Sequence, residues 1–425
     1  MIKIGIASTD ITPSEPVWLT GYGSRDRKSE GVYQPLVAGA IAISSATDEV
    51  VILTADLIGY DLAYAASAKA RIAESTGLLP HQVVLTATHT HCAPFFYRMA
   101  MPGEVEEEYA KFLESQLVKV AVSAKNQQVE GEIAFSRGHS EFGVNRRLPD
   151  ETGRARFGPN PSGPMDRNLD TIWFKNTDGR LIGSLTIFGC HPTSRGGYAI
   201  GGDYSGFLCR ALSEQTEAAA FFATGCAGNI RPWFKGESGG FESPSLEELE
   251  AASRVMVDEV MASRRDIVTV DAENLCVASE FHNLPYATAP DTATLSDQSE
   301  THSNPLMRRW ASEMLKLVEA GGLPTACPQE VQVIQFNPEL RAVFLGGEVL
   351  TEIGMHIKAA LQPATTLTVG YSNGLIGYVP SKETYDGGGY EVDGSHFYFL
   401  RPAPFVKEIE DLIVAKTADI VDKLG

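Results

Sequence analysis

Apolar residues along this chain follow two rhythms. Short, nearly unbroken hydrophobic runs recur throughout: IKIGIA near the start, EVVILTAD at 49–56, QVVLTATH at 82–89, DTIWF at 170–174, SLTIFGCH at 184–191, AAFFATG at 219–225, VQVIQF at 331–336 and RAVFLGG at 341–347. Their length and continuity predict strands covered on both faces. Between them, EVEEEYAKFLESQLVKVAVSAK (104–125) spaces apolar side chains three and four apart, and 245–263 does the same after the start signal SPS. NPLMRRWASEMLKLVEAGG has Pro305 near its first turn and glycines at its end, and 404–424 closes the chain with the same period. These four stretches predict amphipathic helices. The alternation predicts a layered α/β fold of two mixed β-sheets packed together and flanked by helices. Polar stretches rich in proline and glycine at 147–168, 233–245 and 283–304 read as long loops, of a length that commonly serves as lids. With no repeat, low-complexity tract or clean linker, residues 1–425 read as one domain, the alternative being a split near 265–275.

Composition narrows the partners. The formal charge is −19, from 54 acidic and 35 basic residues with no Lys/Arg block. That weighs against a nucleic-acid groove or an anionic membrane patch and leaves a small-molecule substrate. No window approaches 18 uncharged apolar residues and no leader precedes the first strand pattern, so the chain is expected neither to be exported nor to insert in a membrane. The six cysteines contain no CxxC and lie far apart, which reads as reduced thiols in a cytoplasmic protein. Self-association as a homo-oligomer stays open.

The chemistry begins at TATHTHCAP, 86–94, where a hydrophobic run gives out. Residues i and i+2 of an extended strand share a side, so His89 and His91 are expected to face one region at a strand end, as metal ligands or as a hydrogen-bonded polar edge. His191, in TIFGCHPTS, ends a second such run and is also followed by proline. Two strand ends bearing imidazole can converge on one cation, and neutral imidazole is a common zinc ligand. Cys92 and Cys190 each neighbour a histidine in extended chain and should point the opposite way, into the core. For an anionic ligand, Glu348 of AVFLGGEVLTEIG follows a strand and a Gly-Gly turn and is expected to open a helix, whose dipole favours the carboxylate. Glu352, one turn on, competes with it. Tyr378 and Tyr390 of YSNGLIGYVPSKETYDGGGYEVDG read equally well as packing aromatics. GxSxG, P-loop and dinucleotide-loop signatures are absent, which disfavours serine-hydrolase and nucleotide chemistry.

Six of these segments, GIASTDITP with GYG, ATHTH, NRR at 145–147, HPTS, GGEVLTEIG and YVPSKETYDGGGYE, stand in the order found in neutral/alkaline non-lysosomal ceramidases. The chain resembles the catalytic domain of that family, zinc amidases that cleave the N-acyl bond of ceramide, over roughly residues 1–400. The resemblance implies two β-sheets surrounded by helices. It implies Zn2+ bound by His89, His191, Glu348 and Tyr378, with His91, Arg146 and Tyr390 lining the reaction pocket. The family's GDVSP segment, whose serine contacts substrate, stands here as GNIRP at 228–232, so Arg231 occupies the serine position. Arg231, with Asn229 and Arg147, is therefore assigned to substrate binding. The family's C-terminal immunoglobulin-like domain is not expected in residues 1–425.

The function expected is metal-dependent hydrolysis. Zinc accessible to water lowers the pKa of that water toward ~7 and polarises a carbonyl, so no nucleophilic side chain is needed. A guanidinium in place of the serine suits a carboxylate or phosphate better than a lipid hydroxyl. The expected substrate is thus a small polar molecule with an amide or ester bond, and not ceramide. A glycosidic or lactone bond, and a non-catalytic zinc or ligand-binding protein, are the alternatives.

Overall fold

Each of the eight apolar runs forms a strand, and what covers them explains why. The computed structural model describes residues 2–236 and 239–425. Nine strands form one sheet, in spatial order Ala219–Thr224, Leu181–Phe188, Asn168–Asn176, Val129–His139, Ile2–Asp10, Val37–Ser44, Glu49–Ala55 and Val83–Ala87, with Val268–Val270 paired onto Val129–His139. The first pair and the last pair in that order are parallel and the rest antiparallel. A second sheet holds Cys276–Pro285, Ala326–Asn337, Leu340–Leu345 and Thr365–Val369, antiparallel except for its last pair. Both sheets are mixed, as expected.

They pack face to face. Ile4, Ile41, Ile52, Phe174, Leu185 and Phe221 of the first sheet meet Ile334, Phe336, Phe344 and Val369 of the second. On the outer face of the first sheet, helices Leu62–Thr76 and Glu107–Asn126 lay Ile72, Leu113 and Leu117 on Val51, Leu53 and Leu85. Helices Asp203–Thr216 and Leu246–Ser263 cover its other half, with Leu208, Leu212 and Met256 on Trp173 and Phe222. Helices Thr351–Ala360 and Ile409–Leu424 cap the second sheet through Ile353 and Ile413. The layers run helix, sheet, sheet, helix, and strands such as Glu49–Ala55, Val83–Ala87 and Leu340–Leu345 are buried on both sides, which is why they read as apolar runs.

Two of the three expected loops are regular structure. Strand Gly143–Pro149 enters the 147–168 stretch and forms a small sheet with Ala155–Asn160 and Ile230–Pro232. Arg156 and Phe157 on it are exposed, so no apolar alternation marked it. The 283–304 stretch contains the end of Cys276–Pro285 and helix Thr292–Thr301, of which only Leu295 is buried. The 233–245 stretch forms a bridge between Lys235 and Phe241 and no longer element, with residues 237 and 238 outside those described. Val268–Val270 ties the region around 265–275 into the first sheet. Among the described residues, no helix is long and apolar enough to cross a membrane.

Curvature of the large sheet sets up the site. Its edge strands curl toward one another until the Thr224 hydroxyl donates to the carbonyl of Thr88 at 2.6 Å. The chain segments leaving Val83–Ala87, Leu181–Phe188 and Ala219–Thr224 therefore meet at one end of the molecule.

Candidate metal centre

His89 does not continue its strand. Val83–Ala87 stops two residues earlier, and His89 turns with φ +67, so the paired histidines meet through a bend and not through strand alternation. Its imidazole Nδ1 lies 2.5 Å from the carbonyl oxygen of Ile58. His191 Nδ1 lies 2.6 Å from the carbonyl of Ala227 and 3.0 Å from that of Ile230. Carbonyl oxygens only accept, so each Nδ1 carries a hydrogen and each Nε2 presents its lone pair inward.

Inward lies a carboxylate. Glu348 Oε2 is 2.9 Å from His191 Nε2 and 3.3 Å from His89 Nε2. Tyr378 Oη is 3.4 Å from His191 Nε2, and His91 Nε2 is 3.2 Å from His89 Nε2. Burial, with Arg146 next in weight, pushes the pKa of His191 down to about 4, so at neutral pH no proton is shared there. Bare nitrogen and oxygen lone pairs at these distances repel unless a cation sits among them, and the set of nitrogen and carboxylate donors suits a divalent ion. The ligand atoms of His89, His91 and His191 all lie within 4.8 Å of one another. The three histidines could hold an ion, and the Glu348 carboxylate stands against two of their Nε2 atoms and the Tyr378 hydroxyl against one.

Glu348 arrives by a route the sequence did not suggest. It lies in a two-residue strand, Glu348–Val349, while the following helix starts at Thr351. That strand pairs in parallel with Tyr378–Val379, and Glu348 and Tyr378 are direct register partners. Gly347 makes the entry at φ +98, where a Cβ would stand 2.9 Å from the Gly377 carbonyl oxygen, so only glycine fits. Burial acts to raise the Glu348 pKa, but positive charge on the side of His89 and His191 outweighs it and holds the carboxyl well below its usual range. The helix dipole is not what keeps it ionised. Glu352, the competing acid, accepts at both oxygens from the Asn229 side-chain nitrogen, at 3.0 and 2.9 Å, and burial pushes its pKa up to about 7.

Arg146 is fixed by two contacts, Nη2 donating to Tyr378 Oη at 2.9 Å and Nε to Glu391 Oε1 at 2.8 Å. Arg147 donates to the other Glu391 oxygen at 2.7 Å and to the carbonyls of Thr384 and Gly388. Glu391 therefore clamps both arginines, a role its place beside Tyr390 in a glycine-rich stretch did not advertise. Burial pushes the Tyr378 phenol well above its ordinary range. His91 is driven well below its own, by burial first and then by His89 and His191. Its Nδ1 is buried without a hydrogen-bond partner.

Beside this cluster opens a cavity of about 370 Å³, walled by Tyr22, His91, Met101, Glu348, Tyr378 and Tyr390 among others. Gly21 sits at φ +95, and a Cβ there would come within 2.5 Å of the His91 ring, so the GYG loop holds that imidazole in place. Tyr371, which the sequence reading passed over, lies along His89 with ring centroids 4.1 Å apart. Tyr390 is 42% exposed, its ring 5.3 Å from that of Tyr378.

The three residues assigned to substrate lie elsewhere. Asn229 is occupied by Glu352 and by the Thr351 amide, and Arg147 by Glu391. Arg231 stacks on Phe241 at 4.4 Å and Phe157 at 5.3 Å and donates to the Thr193 carbonyl at 2.9 Å. None of them is among the residues that wall the cavity. Cys92 and Cys190 are buried, as expected.

A family model described as neutral/alkaline non-lysosomal ceramidase, N-terminal, matches residues 2–230. Among solved structures, the neutral ceramidase of Pseudomonas aeruginosa superposes with a TM-score of 0.77 at 19% identity, over 99% of this chain and 74% of that one. A ceramidase complexed with C2 gives the same TM-score, identity and coverage. No curated protein matches the chain.

Proposed function

This chain belongs to the neutral/alkaline non-lysosomal ceramidase family, and from that premise we propose that it is a zinc-dependent hydrolase of an amide or ester bond in a small substrate other than ceramide. One observation carries the metal: Nε2 of His89 and of His191, both bare, aim at the same Glu348 oxygen. A divalent ion held there by His89, His191, Glu348 and Tyr378 would polarise a carbonyl and acidify a water.

The protein's own groups supply the rest. His91, neutral at pH 7 because burial and its neighbours lower its pKa, has a ring nitrogen free to take or give a proton at the cavity wall. Arg146 places a permanent cation against Tyr378 Oη, which favours the phenolate that a metal ligand requires. Tyr390, half exposed on the opposite wall, offers a hydroxyl to a developing oxyanion. The size of the cavity, about 370 Å³, lies near the lower end of the roughly 300–1,000 Å³ range of ligand pockets and supports a small substrate over a two-chain lipid. Arg231, outside that cavity, would act on the approach to it, and its buried Nε lacks a partner.

We further propose that residues 1–425 act as one catalytic domain, supported by the pairing of Val268–Val270 onto the first sheet, and that the six unpaired cysteines stay reduced in the cytoplasm. The test is metal analysis of the purified protein followed by assay on a panel of N-acyl amides, esters and ceramide. One equivalent of zinc, hydrolysis of a small amide or ester, and loss of both on chelation are expected. Chelator-insensitive hydrolysis, or ceramide as the preferred substrate, would reject the reading.

A further inference from the structure

A cavity larger than the one beside the histidines opens elsewhere in the molecule. It lies where the curled first sheet fails to close, between Ala219–Thr224 on one side, the rim of Val37–Ser44 and Glu49–Ala55 on the other, and helix Asp203–Thr216 above. Its volume is about 510 Å³. Pro35, Val37, Ala220, Phe221 and Phe222 give it apolar walls. At the inner end stand three buried polar groups, Gln34, Thr54 and Asp56.

Their hydrogen bonding is incomplete. Asp56 accepts one bond at each oxygen, from the Val37 amide at 2.9 Å and the Thr88 hydroxyl at 3.2 Å. Among the described residues no lysine, arginine or histidine forms an ion pair with it. Gln34 Oε1 is buried with no partner at all. The cation nearest the mouth, Arg210, is already paired with Glu250 at 3.0 Å and Glu214 at 4.0 Å. A buried carboxyl without a counter-cation, lining an apolar chamber, calls for hydrogen-bond donors from a guest. A single ammonium group provides three.

We propose that this cavity is a second ligand site, taking a small apolar molecule with one primary amine, whose ammonium group docks on the Asp56 carboxyl and whose hydrocarbon body packs on Ala220, Phe221 and Phe222. A carboxylate guest is disfavoured by Asp56, and an alcohol brings only one donor for its two oxygens. The cavity shares no lining residue with the one beside the histidines, although Thr88, which donates to Asp56, adjoins His89, and the proposal does not depend on what that cluster hydrolyses.

The experiment is calorimetric titration of the full chain with n-hexylamine, n-hexanol and hexanoate. The amine is expected to saturate at one molecule per chain and to bind at least about tenfold more tightly than hexanoate. D56N should weaken the amine by about tenfold or more while leaving hexanol unchanged. A220F, or C209F should the first not fold, should block both amine and alcohol by filling the chamber, with melting curves confirming that the variants are folded. Equal affinity for amine and hexanoate, amine binding untouched by D56N and the filling variant, or no saturation by about 10 mM amine, would overturn the assignment.

Discussion

At the scale of single residues, the central fact is that His89, His191 and Glu348 all present acceptors to one point. E348Q removes the anion from that set and is expected to weaken metal binding at least about 100-fold, read as metal content after dialysis against a chelator buffer. The Arg146–Glu391–Arg147 cluster is equally constrained. Glu391 is 4% exposed and is the ion-pair partner of both arginines, so E391Q leaves two buried cations facing a neutral amide. A loss of about 3–5 kcal/mol is expected in denaturant unfolding. Glu352 yields a pH signature. Its pKa is raised by burial to about 7, so between about 4.5 and 7 the folded state holds a proton that the unfolded state releases, and stability falls as pH rises. E352Q should match the parent below about pH 4.5 and become the more stable of the two toward pH 7, by an amount on the order of 2–3 kcal/mol. Parallel pH curves for the two proteins would show that Glu352 is not the group responsible. Part of this scale was legible in HTH and HPTS, because two apolar runs that each end in imidazole can converge on one point. Glu391 was not, since a lone acid in a glycine-rich stretch carries no periodic signal.

Among elements, legibility tracked burial. Strands covered on both faces, such as Glu49–Ala55 and Leu181–Phe188, announced themselves, whereas Val37–Ser44, equally buried, is half alanine and glycine and lacks the β-branched run that marks a strand. Helix Leu246–Ser263 was signalled by its capping box, Ser245 with Glu248. Helix Leu62–Thr76, alanine-rich with only a shallow apolar face, was not. The small sheet containing Ala155–Asn160 was hidden because its outer strand faces water. Short elements also govern reactivity. The loop carrying Gly21 packs on His91, and G21A is expected to displace that ring. Hydrolysis should fall by about 100-fold with metal content unchanged, a split that separates positioning of His91 from loss of the ion.

For the whole molecule, the two packed sheets were readable from the alternation of strand and helix patterns, whereas the curl that joins distant strand ends was not, because no local pattern encodes it. A ligand that binds only the folded form stabilises it by mass action. Metal at about 100 times its dissociation constant should therefore raise unfolding stability by about 2.7 kcal/mol over the stripped protein. Thermal melts with and without added zinc measure this, and identical curves would argue against a bound ion.

The four candidate ligands come from positions 89, 191, 348 and 378, and Glu348 faces Tyr378 only once their two short strands have paired. A polypeptide still emerging from the ribosome thus carries its first two histidines long before it owns a complete cage, and ion capture becomes a late checkpoint in biosynthesis. Any fragment ending near residue 230, where the family match stops, would keep the imidazoles yet lack the anion, leaving a loose binder open to mismetallation.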